Sequence, residues 1–195
     1  MRDNTYIKLE GICKIYKGYV GTQKLREEGF SNRQIASLTK EGYLEKICYG
    51  VYWLNGRGYD KPLDYKCIEV CLSAPRAVIC MDSALYYQGA IEAEPGCLSV
   101  ATERTDRSML NMNFPVKRHY FSKSNFEIGL KKIETEYGGY FIYDIGRSAC
   151  DIMRLESRDI AEIVSEIYKN EEQQKRLLKY AKLLRVKYIG VTVTE

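Results

Sequence analysis

Apolar and polar positions divide the first 54 residues into short periodic segments separated by glycine. In TYIKLEGICKIY, residues 5–16, Ile7, Ile12, Ile15 and Tyr16 fall near helical spacing and predict a first helix despite Gly11. GYVGT, 18–22, reads as a break, with Thr22 expected to cap a second helix, TQKLREE, closed by Gly29. The third start is the most strongly encoded. Ser31 as N-cap and Gln34 three residues on form a capping box, and Phe30 and Ile35 supply a hydrophobic staple. That helix runs from Asn32 to a stop at Gly42, only a short turn after the second, which is the spacing of a helix-turn-helix. YLEKICYGVYWL, 43–54, is aromatic and β-branched with one turn former, Gly50, and predicts a hairpin. Helix, helix, turn, helix, hairpin is the order of a winged helix.

NGRGYDKPL, 55–63, concentrates glycine, proline and charge and predicts a linker, placed at 59–62 between a domain of 1–58 and one of 63–195. In the second part, 64–72 reads as helix and 77–81 as an apolar run. Asp82 is expected to cap SALYYQG. Strand-like segments follow at 98–101, 116–121, 130–133 and 140–143, and 107–114 reads as a plain loop. Helices are expected at 147–155, 159–168 and 171–186, the first with Asp144 as its cap. The fold class is therefore α+β, a winged helix followed by a mixed α/β domain, and the pairing of the strands stays open.

Composition narrows the function classes. With 45% hydrophobic and 29% charged residues in 195, the chain is ordinary for a globular protein. No apolar run reaches the ~18 residues of a membrane span, and no signal-peptide core precedes the first helix, so a cytoplasmic protein is expected. Seven cysteines without CxxC spacing and a single histidine, His119, argue against a zinc site. No P-loop, HExxH or dinucleotide loop occurs, and Ser83 lacks the flanking glycines of a nucleophile elbow. No catalytic residue, cofactor or metal is expected.

The net charge of +4 is concentrated in residues 1–58, which hold ten Lys/Arg against six Asp/Glu. That asymmetry points to a polyanion. Ile35 and Leu38 on the third helix are spaced to pack inward, leaving Asn32, Arg33, Ala36, Ser37 and Lys40 outward. Arg33 suits guanine, Asn32 and Gln34 suit adenine, and Ser37 and Lys40 suit phosphate in a major groove, with Asn32, Arg33 and Ser37 favoured for base readout. Lys24, Arg26 and Lys46 are further phosphate candidates. In the last helix Lys175, Lys179, Lys182 and Arg185 form a basic stripe opposite Leu177, Ala181, Leu184 and Tyr188. Arg147 and Asp151, four apart, are expected to form a surface pair worth ~0.3–0.5 kcal/mol.

Four stretches carry a resemblance: the helical pair, EGYLEKICYGVYWL, PRAVICMDSALYYQG and FIYDIGRSACDIMR. In this order they resemble the AbiEi family, antitoxins of type IV toxin–antitoxin (abortive infection) operons. The matching residues are Gly42-Tyr43-Leu44, Gly50-Val51-Tyr52, Pro75 to Gly89, and Ile142 to Asp151. The resemblance implies a winged helix that binds inverted repeats in the operon's own promoter and represses it; because one helix reads only a few base pairs, two copies and self-association on the DNA are expected. It also implies a C-terminal domain that neutralises a nucleotidyltransferase toxin without a stable complex, a role for which Arg147, Asp151, Lys175, Lys179 and Lys182 are the candidates. Two departures matter. The cations that often precede the wing glycine are Cys48 and Tyr49 here, leaving Lys46 nearest, and the family's Glu-Arg-Thr is Gly146-Arg147-Ser148. The alternatives are a protein-binding module that does not touch DNA, or an enzyme with its site in the second domain.

Overall fold

The computed structural model describes residues 3–16, 18–55, 60–156 and 160–186. The architecture is α+β, with two sheets and nine helices among the described residues. The N-terminal unit holds α1 (Asp3–Tyr16), β1 (Tyr19–Gly21), α2 (Thr22–Glu27), α3 (Asn32–Lys40), β2 (Leu44–Cys48) and β3 (Val51–Leu54). Its sheet is antiparallel in the order β1-β3-β2, with Tyr19 opposite Trp53 and Leu44 opposite Leu54. The core joins Leu9, Ile12 and Cys13 of α1 to Leu25, Ile35, Leu38, Leu44 and Leu54.

Several local expectations change here. The segment 18–22 is not only a break, because β1 lies within it and pairs with β3, whose partner residues are 30 to 34 positions on. Gly21, not Thr22, stands at the N-cap of α2, while the Thr22 hydroxyl donates to the Gly50 carbonyl and ties α2 to the hairpin turn. Helix α1 forms where expected, but Ile7 and Ile15 are 66% and 71% exposed. Its buried side is Leu9, Ile12 and Cys13.

The second sheet is mixed, in the order β6-β5-β4-β8-β7. It is built from β4 (Val78–Ile79), β5 (Leu98–Glu103), β6 (Val116–Phe121), β7 (Leu130–Thr135) and β8 (Gly138–Tyr143). β4 runs parallel to β8 and antiparallel to β5, and β5 runs parallel to β6. Alternation along the strands divides the core into two. α4 (Tyr65–Ser73) packs with Ile79, Val100 and Ile142 on one face. α5 (Met81–Tyr87), α7 (Ile145–Leu155), α8 (Ala161–Tyr168) and α9 (Glu171–Leu184) pack with Val78, Ala101 and Tyr143 on the other. α6 (Lys123–Phe126), a single turn, was not legible in the sequence.

Asp144 and Asn170 cap α7 and α9, accepting from the backbone N–H of Arg147 and Gln173. Asp82 does not cap α5. Cys80 precedes the helix, and Met81 begins it with a left-handed φ of 54° while fully packed in the core. Ser83 is buried, its hydroxyl accepting from Ser99 N and donating to the Cys97 carbonyl, so it braces β5. The residues 157–159 at the expected start of α8 and the first residue of the expected linker, 59, lie outside the described residues.

Residues 60–64 lead directly into α4, and the two units are joined by a polar and aromatic seam. Glu69, 1% exposed, accepts from the Tyr19 hydroxyl at 3.1 Å and pairs with Lys61 at 2.7 Å. Lys61 also reaches Glu45 of β2 at 2.9 Å. Trp53 packs between Tyr19 and Tyr137, and Gly18 lies where any Cβ would meet the Trp53 and Tyr137 rings at 3.0 Å.

Candidate functional site

The exposed face of α3 is the best-formed candidate. Its start is fixed locally. Ser31 Oγ accepts from Gln34 N, while Gln34 Oε1 accepts from Ser31 N and Ser31 Oγ at 2.9 Å each. The chain reaches this cap from α2 through one tight turn at Glu28–Phe30, where Gly29 has φ 81°. Ile35 and Leu38 anchor the helix in the core and β2 packs alongside it. Asn32, Arg33, Ala36 and Lys40 are exposed, so the face is polar, narrow and free of bulky apolar side chains.

The candidates are not equivalent. Gln34 has its carbonyl oxygen committed to the capping box, which makes it a structural residue. Asn32 Oδ1 accepts from Arg26 Nε and Nη2 at 3.0 and 2.9 Å, which joins a base-reading candidate to a phosphate candidate. Ser37 Oγ donates to Glu41 Oε1 at 2.7 Å, and the Tyr6 hydroxyl donates to the other oxygen. Those two donors, Tyr6 first, hold the Glu41 carboxyl below its usual range. A carboxylate therefore sits beside Lys40 at the C-terminal end of the face. Tyr6 and Glu41 are not among the residues expected at this face. The Ser37–Glu41 spacing of four was a local signal for the contact, whereas Tyr6 comes from another helix.

Lys24 is ion-paired with Glu27 at 3.2 Å and lies over the Tyr16 ring. Tyr16 and then Glu27 raise its pKa, so it stays charged. Lys46 is exposed on β2 opposite Tyr52. The hairpin turn itself is tight, with Tyr49 99% exposed at its tip and Gly50 at φ 73°. Cys48 beside it turns its sulfur to the Leu72 carbonyl at 3.7 Å, so this edge of the hairpin rests on α4.

In the second unit the expected surface pair proves to be an interior one. Arg147 and Asp151 are both fully buried, with Arg147 Nε donating to Asp151 Oδ2 at 2.7 Å. Arg147 Nη1 donates to the carbonyls of Asn125 and Ile128, and the guanidinium lies over the Tyr143 and Phe121 rings. Arg154 supplies a second cation to Asp151 at 2.9 Å. Burial pushes the Asp151 carboxyl up, and the two arginines oppose that. Neither Arg147 nor Asp151 is placed to touch a partner, and the pair organises the core. Gly129 makes room for it, since a Cβ there would stand 2.6 Å from Arg147 Cβ.

On α9, Lys175, Lys179 and Lys182 are exposed opposite Leu177, Ala181 and Leu184, as the spacing implies. Lys175 is paired with Glu171 at 2.7 Å, while Lys179, Lys182 and Arg185 are the stripe's outer charges, the last as the left-handed C-cap. Tyr188 lies outside the described residues.

Among the described residues no group of three or more His, Cys, Asp or Glu side chains converges as a metal site, and no helix is long and apolar enough to cross a membrane.

No family model matches the chain, and no curated protein matches it. Among solved structures it is similar to the RV2827C protein from Mycobacterium tuberculosis, with a TM-score of 0.67 at 14% identity, covering 97% of this chain and 77% of that one. At that identity the likeness concerns the fold alone.

Proposed function

We propose that the N-terminal unit is a winged helix that docks on duplex DNA, with α3 in the major groove. The carrying observation is the exposed face of α3, narrow and polar, held rigid by a cap at one end and two buried anchors below. The helix order and the β1-β3-β2 sheet agree with this reading. Arg33 is the principal base-reading residue, with Asn32 beside it on the early turns that reach base edges. Arg26, Lys40 and Lys46 serve as phosphate contacts, and Lys24 contributes through its charge. Glu41 repels the phosphate backbone and so limits how deeply the C-terminal end of α3 enters.

The resemblance to AbiEi antitoxins extends this reading to a transcriptional autorepressor in a type IV toxin–antitoxin operon. The second unit then neutralises a nucleotidyltransferase toxin without a stable complex. Within that unit Lys179 and Lys182 are the accessible candidates, and Arg147 and Asp151 act through stability.

The test is fluorescence anisotropy with the DNA upstream of the gene against random duplex at two salt concentrations. Arg33→Ala is expected to weaken binding to the preferred site by ~1–3 kcal/mol and to leave random-duplex binding nearly unchanged. Lys40→Ala is expected to weaken both and to lower the salt slope by about one. Equal loss on both duplexes for Arg33→Ala refutes base reading. Absence of binding moves the unit to protein partners.

A further inference from the structure

Helix α1 carries a face that nothing among the described residues covers. Ile7 and Ile15 are 66% and 71% exposed, and Gly11 lies between them on the same side, four residues from each. The opposite side of the helix, Leu9, Ile12 and Cys13, is in the core. Gly11 has no local reason to be glycine. Its φ is not left-handed, and a Cβ there would meet no atom within 4 Å. Glycine weakens a helix interior, and its usual return is a close approach by another backbone. No such approach is made among the described residues.

The charges on this face are self-complementary. Glu10 and Lys14 are exposed, one turn apart, on the same flank of the Ile7–Gly11–Ile15 row. When two such helices lie antiparallel about a two-fold axis near Gly11, Ile7 of one meets Ile15 of the other and the two glycines face each other. Glu10 of each copy then meets Lys14 of the other. A parallel two-fold instead carries this flank to the opposite edge of the interface in the partner, and the Glu10–Lys14 pairs are not made. Isologous contact of this kind is the commonest route to a closed dimer.

We propose that two copies of this chain associate through α1, packed antiparallel across Gly11. One pair of short helices buries less than the ~1,200 Å² of a stable interface, so the dimer is weak and depends on concentration. The contact does not require DNA and holds whether or not α3 reads bases.

Sedimentation equilibrium of the full chain under reducing conditions without DNA tests this, over about 5–500 µM. The weight-average mass is expected to rise from one copy toward two. Ile7→Glu and Gly11→Leu are each expected to weaken association more than about tenfold. Glu10→Lys is expected to weaken it less, and Glu10→Lys with Lys14→Glu to restore it. Far-UV circular dichroism checks that each variant keeps its fold, which the exposure of all four positions favours. A mass of one copy throughout overturns the proposal, as does a dimer indifferent to Ile7→Glu and Gly11→Leu. A double charge swap that does not restore association overturns the antiparallel arrangement.

Discussion

At the scale of single residues, the largest gap between sequence and structure is Arg147. Four-residue spacing to Asp151 describes a helix-surface pair, whose worth is a few tenths of a kcal/mol. Burial changes the magnitude, because Asp151 would be left as a charge in the interior with only the partly exposed Arg154 to offset it. Arg147→Met removes the donors to Asp151, Asn125 and Ile128 at once and is expected to destabilise the fold by ~3–5 kcal/mol in urea unfolding. A loss below ~1 kcal/mol would return the pair to the surface class. His119 offers a second residue-level test. Its Nε2 is buried without a partner. Burial first, then the Lys117 ammonium, holds its imidazole below the usual range, while Glu156 and Asp151 pull the other way. With a lowered folded pKa the unfolded chain takes the proton first. Stability is therefore full above the unfolded value near 6.5 and falls as pH drops below it, with a slope no steeper than ~1.4 kcal/mol per pH unit. His119→Gln is expected to flatten that part of the profile between pH 7.5 and 5.5. An unchanged difference between wild type and variant across the range would show that His119 does not titrate there.

At the scale of elements, what could be read was whatever lies within about four residues. Ser31, Asp144 and Asn170 cap their helices through contacts to the third residue on, and the first two were legible as caps for that reason. The same logic failed at Thr22 and Asp82, where a hydroxyl and a carboxylate stand one and two positions past the N-cap. Strand β1 was illegible because three residues, preceded by Gly18 and ending on Gly21, become a strand only when β3 is present. For α1 the helical period holds, but of the residues that carry it Ile12 is in the core while Ile7 and Ile15 are exposed. The helix has exposed isoleucines on one side and Leu9, Ile12 and Cys13 on the other, and spacing does not choose between two apolar rows. The exposed face of α3 was legible because Ile35 and Leu38 are its only large apolar side chains. Gln34 was assigned to both cap and groove, and the geometry gives it to the cap. Ser31→Ala is therefore expected to cost ~0.5–2 kcal/mol of stability, and α3 is the element whose amide exchange should accelerate most. Acceleration spread evenly over the N-terminal unit would mean that the cap does not act locally.

At the scale of the whole molecule, the seam between the two units decides whether they unfold together. A linker reading of 55–63 suggests two independent bodies, but Lys61 at its end is drawn into a buried network with Glu69 and Glu45. Burial raises the Glu69 pKa, and Lys61 and then Tyr19 counter it, so the carboxylate relies on groups from outside its own helix. Trp53 stands in the same seam, in edge contact with Tyr19 at 4.9 Å and 6.2 Å from Tyr137 of the turn between β7 and β8. It is the chain's one tryptophan, which makes the junction directly observable. If the seam couples the units, urea unfolding followed by Trp53 fluorescence and by far-UV circular dichroism gives one coincident transition, since the dichroism is dominated by the helices of the second unit. A fluorescence change that precedes the loss of helix would show that the N-terminal unit parts from the second before either unfolds. Coincidence carries a functional consequence. A unit that reads DNA on α3 and a unit bearing Lys179 and Lys182 on α9 would then move as one body, and the distance between a bound operator and the α9 stripe would be set by the fold, not by a flexible linker.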